Sequence, residues 1–504
     1  MSGARSRVLH RPRSIRAMWR GGALLFAASI VTWGLGASAS AASSAQRPVQ
    51  LDKSPVSSSV LMARAIRSGA VTLGGAHSVG NAGLRPSLTV LPNVKASSGT
   101  QPANETPIAA DPSNGSHLET AANDYNCSSL QGVYNSDNGG ATWRQSCAPV
   151  AGAGGCGDPN VAYDTTGTAY FLGISNCNGS TGSIYYQTST NNGVSWSSFN
   201  LAFGSLLGGL TDKEWTEIDT NAGSPYVNCI YTSWTDFNSS FTQTRASVAH
   251  SCNGGASWTR VAVDSTQTVP KIDQFTDLAI GPTGTVYLTW MYCKTSGPAG
   301  DCGGTSVDLK LSKSTDGGNT WSAPTVMATV ALTPDTGGCY YGCFPTTSER
   351  LADIPAIDID KVDGSLHVGF YAYTGGKSKA QAIYSTNDGV SWSAPVGVLP
   401  TTLAGNQGYV WLAVSPAGKV GVSFFYSAVF PNYLEVAGIS SNGGVSFAQK
   451  AKLSSATAKF TNDGFGGGFI GDYTGGIWTG ETLHTSWSDA RATPSVDETG
   501  GVTP

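Results

Sequence analysis

Acidic and aromatic side chains recur in this chain at one kind of place, just ahead of a short apolar run. Glu105 stands before the run 107–112, Asp158 before 160–164, and Asp212-Lys213-Glu214-Trp215 before 216–219. Asp273-Gln274-Phe275 leads into 276–282, and Arg350 and Asp353 lead into 354–358. Gln407, Tyr409 and Trp411 mark the run 410–416, and Phe469, Asp472 and Tyr473 precede the last one. Carboxylates beside aromatic faces suit carbohydrate chemistry. Cleaving a glycosidic bond takes two carboxyl groups, one as acid and one as nucleophile or base, and aromatic rings match the C–H-rich faces of sugars. The expected catalytic groups are Asp273, Asp353, Glu214 and Asp472, with Tyr473 as a phenolate nucleophile or general acid. Arg350, Trp215, Trp411, Glu105 and Asp158 are expected to contact substrate. For any single acid the plainer alternative is a carboxylate that caps a turn at a channel mouth.

Other chemistries fail on context. Gly466-Gly467-Gly468-Phe469-Ile470-Gly471 fits a dinucleotide fingerprint but leads into a strand rather than a helix. Asp358-Ile359-Asp360-Lys361-Val362-Asp363-Gly364 looks like a calcium loop, yet its third acid comes one place late for an EF-hand. No CxxC pair, HExxH, P-loop or GxSxG is present. The expectation is no metal and no cofactor.

What positions these residues is a repeat. Six segments share Ser, Asp or Asn two places later, Gly four later, Ser or Thr six later and an aromatic seven later. They begin at Ser136, Ser189, Ser251, Ser314, Ser385 and Ser440; the clearest is Ser314-Thr315-Asp316-Gly317-Gly318-Asn319-Thr320-Trp321. The spacing is that of a turn. Asp or Asn accepts backbone N–H groups within it, glycine supplies positive φ, and the indole is expected to pin the hairpin on the body of its own blade. Upstream of each copy lies an apolar hairpin, such as 276–282 followed by Thr285-Val286-Tyr287-Leu288-Thr289-Trp290, with the alternation of β-structure. A seventh hairpin, through Leu483-His484-Thr485-Ser486-Trp487, has no turn motif after it.

The motif resembles the Asp box, or BNR repeat, of the sialidase-like β-propellers. The resemblance spans roughly residues 104–491 and implies an all-β propeller of four-stranded antiparallel blades with Asp-box turns between the outer strands. Seven hairpins favour seven blades, with six as the alternative, because sialidases close with six. The last blade is expected to be completed by an N-terminal strand at Ser87-Leu88-Thr89-Val90-Leu91. The family also holds its substrate carboxylate with three arginines, the first in Arg-Ile-Pro. Here that motif reads Asp353-Ile354-Pro355, and only Arg245, Arg350 and Arg491 remain as triad members within the propeller. A guanidinium grips a carboxylate through paired hydrogen bonds, whereas an acid at that place repels it. The resemblance therefore implies a glycan site other than a conventional sialidase's. A glycoside hydrolase leads, a non-catalytic glycan- or protein-binding propeller is the rival, and an exo-α-sialidase or polysaccharide lyase is a further alternative.

Composition fits this reading. Of 504 residues, 64 are glycine and 12% are charged, which excludes coiled coils and helical arrays. Residues 1–42 read as a secretory signal, with six arginines ahead of an apolar stretch and small-x-small cleavage patterns. Residues 43–100 read as a linker plus the closing strand, and 101–504 as the propeller. Without the signal, 23 basic side chains face 33 acidic ones, a net charge of −10. A chain this acidic is a poor partner for nucleic acid, and no later stretch suits a membrane span. The expected partner is an extracellular glycan or glycoconjugate, bound by a secreted monomer. The ten cysteines, all between 127 and 343, fall into neighbours expected to pair as disulfides: 127/147, 156/177, 229/252, 293/302 and 339/343.

Overall fold

The computed structural model describes residues 54–68, 88–149, 154–177, 181–297, 300–345 and 347–504. The signal-like segment 1–42 lies outside the described residues. Seven antiparallel sheets follow one another along the chain, each running from an inner strand outward. The inner strands are Ile108–Ala110, Gly155–Tyr163, Gly208–Ile218, Ile272–Ile280, Ala356–Ile359, Asn406–Val414 and Gly475–Thr479. They define blades one to seven of a β-propeller.

The seventh blade is closed across the termini. Its third strand, Val496–Thr503, pairs with Leu483–Asp489 on one side and on the other with Thr89–Val90, in the register Thr89↔Thr503 and Val90↔Val502. Closure of this kind leaves no long sheet edge exposed. Between blades, alternate residues of facing strands meet. Leu278, Ile280, Val286, Leu288 and Trp290 of blade four pack on Tyr231, Ala246 and Val248 of blade three. Each fully buried aliphatic side chain there contributes roughly 1.5–3 kcal/mol.

The six Ser-x-Asn/Asp turns join the third and fourth strands of blades one to six. In every copy the serine Oγ accepts the glycine N–H at 2.8–3.0 Å. The Asn or Asp Oδ1 accepts the N–H of the following Thr or Ser at 2.9–3.0 Å. The turns anchor differently from expectation, because each lies against the blade before it. Tyr186 of blade two donates to the Gly255 carbonyl at 3.0 Å, and Trp258 of the same turn packs on Phe203 of blade two. Gly318 faces Tyr231 and His250 so closely that a Cβ would stand 3.2 Å from each ring. At Gly318 glycine is therefore favoured by close approach as well as by positive φ.

Five disulfides link the neighbours expected from sequence: Cys127–Cys147, Cys156–Cys177, Cys229–Cys252, Cys293–Cys302 and Cys339–Cys343. One departure falls in the segment read as linker. Ser58–Arg67 is an α-helix. Val56, Val60 and Ala63 form one buried stripe at helical spacing, and Met62 is buried on a second face. Among the described residues, no helix is long and apolar enough to cross a membrane.

Candidate active site at the channel mouth

The inner strands carry a shared distortion near their starts. Glu105, Asp158, Lys213, Phe275 and Tyr409, each on the approach to or within an inner strand, take positive φ of 51–61°. The register breaks beside four of them: between Gly157 and Asn160, Asp212 and Trp215, Gln274 and Asp277, and Gly408 and Trp411. Such bulges re-aim side chains that regular alternation would send elsewhere. A left-handed non-glycine residue costs about 1 kcal/mol or more, so packing must enforce the ring.

The acids meet here. Glu105 and Asp158 hydrogen-bond side chain to side chain. Burial, then the charges of Asp158 and Asp472, push the Glu105 carboxyl well above the usual range. Its oxygens accept from the Asp472 amide at 2.9 Å and from Asn123 Nδ2 at 2.7 Å. Asp158 Oδ2 accepts the Lys213 amide at 3.0 Å, tying blade two to blade three. Asp212 Oδ2 accepts from Gln274 Nε2 at 2.7 Å, and burial with the Asp158 charge pushes Asp212 up to about 7. Both Glu214 oxygens are buried without a hydrogen-bond partner, and burial, then Asp158, raises that carboxyl well above its ordinary value.

Lys213 is one of two cations among them. Its Nζ lies 3.9 Å over the Tyr473 ring and 4.4 Å over Trp215, fully buried and without a hydrogen-bond partner. Burial lowers the ammonium pKa, and Asp158, Asp277, Glu105 and Glu214 pull it back up. Trp215 packs on Trp411 at 4.3 Å between ring centroids and edge-on to Tyr473 at 5.8 Å. Arg350 Nε pairs with Asp472 Oδ1 at 3.2 Å, its guanidinium 5.1 Å over the Tyr341 ring.

A stretch of chain from outside the blades sits in this mouth. Ser57 Oγ donates to Asp158 Oδ2 at 2.8 Å, Ser59 Oγ donates to Asp158 Oδ1, and the Ser57 amide donates to Asp212 Oδ2 at 2.9 Å. The Pro55 carbonyl accepts from Gln274 Nε2 at 2.8 Å and from the Tyr341 hydroxyl at 2.6 Å. The Val56 carbonyl accepts from Arg350 Nη1 at 2.8 Å.

Of the residues expected from sequence, Glu105, Asp158, Glu214, Trp215, Arg350, Trp411, Asp472 and Tyr473 therefore gather at one mouth. Asp273 and Asp353 do not join them. Asp273 turns into blade four, where Oδ1 accepts from Trp290 Nε1 at 3.0 Å and lies 4.0 Å from Lys310 Nζ. Asp353 is buried apart from the other acids, with the Tyr371 amide on Oδ1 at 3.0 Å. Tyr473 donates its hydroxyl to the Pro159 carbonyl at 2.9 Å, and burial beside four carboxylates holds it as a phenol, which disfavours the phenolate role. Of the three arginines left as triad candidates only Arg350 reaches the mouth; Arg245 pairs with Asp236 and Arg491 with Asp489. The sequence places Asp212, Lys213 and Gln274 among the residues ahead of the inner strands without a specific role, and does not single out Tyr341. The run Asp212-Lys213-Glu214 before an apolar strand was the available signal for the first two; nothing local points to Tyr341.

Beyond the Trp215–Trp411 pair the channel opens at its other end into a cavity of about 530 Å³, lined by Glu217, Asp277, Asp358 and Lys361 among others. Two of its acids serve the fold. Asp277 Oδ2 accepts the Ile357 amide and Asp358 Oδ2 the Val414 amide, both at 2.7 Å, so each joins its blade to the next. The loop from Asp358 to Gly364 closes on itself through Asp360 and Asp363, which accept the amides of Val362 and Ser365.

The molecule is thus a seven-bladed β-propeller with an acid-lined, segment-filled mouth. No protein-family model matches the chain, and no curated protein matches it. Among solved structures it is similar to a PL25 ulvan lyase, at TM-score 0.48 and 12% identity over 79% of this chain and 96% of that one. It is also similar to a Dyadobacter fermentans protein of unknown function, at TM-score 0.43 and 11% identity over 86% of this chain and all of that one. A Hadza microbial sialidase gives TM-score 0.41 and 14% identity over 77% and 74%. The seven-blade assignment stands on this chain's own strand pairing.

Proposed function

We propose that the mouth is the glycan site of an exported glycoside hydrolase acting on extracellular glycans or glycoconjugates. The observation that carries this reading is the closeness of Asp158 and Asp212, on the neighbouring blades two and three, at the mouth. One serine hydrogen-bonds both carboxyls, so they stand no more than roughly 10 Å apart, a bound that admits the separations glycoside hydrolysis uses. An acid raised to about 7 is suited to hold the proton a leaving oxygen needs, which favours Asp212 as general acid. Asp158, on the neighbouring blade, is then the nucleophile or base. Glu105 and Glu214 set the field around the pair, Lys213 offsets it, Arg350 with Asp472 orients substrate, and Trp215 and Trp411 offer apolar faces. Asp273 and Asp353 take no part. The signal-like N-terminus and five disulfides support passage through an oxidising compartment. The hydrogen bonding repeated in six turns supports the Asp-box resemblance, and with it the fold, but fold alone assigns no chemistry.

Non-catalytic recognition is the second reading, favoured by the single propeller arginine at the mouth and by the tyrosine hydroxyl committed to backbone. Fluorogenic sialosides, neutral glycosides and a glycan array separate the two. The protein to use is the full chain carrying Val60→Asp, which places a charge in the apolar seat of the segment filling the mouth. Turnover that falls by about 100-fold or more in Asp158→Asn and in Asp212→Asn, with array binding retained, is the expected result. Array binding without turnover selects recognition, and turnover indifferent to both substitutions overturns the assignment.

A further inference from the structure

The segment in the mouth belongs to no blade. The ring closes through Thr89–Val90 without it, and the helix that follows lies on the face where the inner strands begin. Its contacts nonetheless fall on the groups that the bulged strands aim into the channel. Two hydroxyls meet the two oxygens of one carboxylate, Asp158, as neighbouring sugar hydroxyls would. Two carbonyl oxygens meet the donors Arg350, Gln274 and Tyr341. Ser57 occupies the N-cap position, yet its side chain makes no cap hydrogen bond and bonds Asp158 instead. The helix thereby presents its N-terminal end, with its partial positive charge, to Asp158 and Asp212. Arg64, one face along, lies in the field of Asp212.

The propeller is shaped to receive this segment. Gly157 leaves room for it: a Cβ there would stand 2.8 Å from the Ser59 Cβ. Val56 and Val60 seat in an apolar cluster with Cys156, Leu210 and Phe237, and Met62 seats with Tyr125, Phe465 and Phe469. The fit is incomplete at the polar end. With the segment in place, Asp212 Oδ1, Lys213 Nζ, Gln274 Oε1 and both Glu214 oxygens remain without hydrogen-bond partners. The mouth therefore holds more polar chemistry than its occupant satisfies.

We propose that residues 54–68 are an internal inhibitor of the mouth, a segment whose serine hydroxyls and backbone carbonyls stand where ligand oxygens go. While it is seated, ligand has no path to Asp158 and Asp212; once it leaves, the mouth takes a ligand offering paired hydroxyls to Asp158 and an oxygen acceptor to Arg350, Gln274 and Tyr341. The ligand class rests on the glycan reading above, whereas the occlusion does not.

The test uses the full chain with Val60→Asp, which puts a charge into the apolar seat and touches none of the mouth's polar groups, and Ser59→Trp, which collides with Gly157, as a second route. A fluorescent synthetic peptide of residues 54–68 is titrated into each. The peptide is expected to bind the variants and to bind the wild-type chain, whose mouth is already filled, about tenfold or more weakly. Adding Gln274→Ala and Tyr341→Phe to a variant is expected to weaken the peptide by a similar factor. Equal peptide binding to wild type and variants, or none to either variant while circular dichroism reports a folded chain, overturns the proposal. A glycan that binds the variants is expected to be displaced by the peptide and to bind wild type about tenfold more weakly; equal glycan affinity for both overturns the occlusion. If no glycan binds while the peptide does, the occlusion is upheld and the glycan reading alone fails.

Discussion

Asp353 shows what one carboxyl does when burial rather than chemistry sets its state. One donor, the Tyr371 amide, reaches it, Oδ2 has no partner, and burial pushes it up to about 8. An unfolded aspartate titrates near 3.9, so the folded state holds the proton more tightly. The stability associated with this group is complete below about pH 4 and is lost as pH rises through about 8. Asp353→Asn removes the titration while keeping an oxygen for the Tyr371 amide. Urea unfolding is expected to give variant and wild type similar stability near pH 4 and to favour the variant by about 2–5 kcal/mol near pH 8. Equal differences at the two pH values would mean that the folded state carries the group ionised. At the same position the Asp-Ile-Pro sequence told only that no arginine stood there. That the acid faces away from its fellows depends on the strand it precedes and on Tyr371, eighteen residues further on.

The turns and the inner strands are the elements that differ most in how openly the sequence declares them. A turn such as Ser385-Thr386-Asn387-Asp388-Gly389 is complete within a few residues: Asn387 accepts from Ser385 Oγ and the Ser391 amide, so spacing alone reveals it. Asn387→Ala and Asn191→Ala, in blades five and two, are each expected to cost about 1 kcal/mol in denaturant unfolding. Sharing no partner, the two should add to within about 0.5 kcal/mol. A markedly larger sum would show that the turns are coupled around the ring. The inner-strand bulges are less legible. Lys213 or Tyr409 at positive φ violates local preference, and only the crowding of seven strands around one axis enforces it. The helix at 58–67, SSVLMARAIR, is short and set in an Ala-, Ser-, Gly- and Val-rich stretch that reads as linker until the surface burying its apolar stripe is known.

At the scale of the whole molecule the propeller depends on one join. Blade seven takes its outer strand from the beginning of the described propeller and its third strand from the end of the chain, with Val502 packed among Leu88, Leu483 and the neighbouring blade. Val502→Asp would bury an unpaired carboxylate there. It is expected to cost about 3 kcal/mol or more, measured by urea unfolding. Val429→Asp, at a residue 69% exposed, is the control and should change stability by no more than about 0.5 kcal/mol. A similar loss from both would show that closure contributes nothing particular.

The sequence by itself determined the parts whose physics is local: six self-contained turns, the alternation of seven hairpins, the nearest-neighbour disulfides and a set of acids at the strand starts. Each rests on residues close together along the chain, so spacing carries the information. Only the tertiary structure decided which acids share one mouth, that Asp273 and Asp353 stand outside it, that each turn leans on the preceding blade, and that residues 54–59 fill the channel. Those outcomes depend on the direction each bulged strand turns a side chain and on contacts such as Ser57 with Asp212, 155 residues apart. No pattern read along the chain encodes them before the ring has closed.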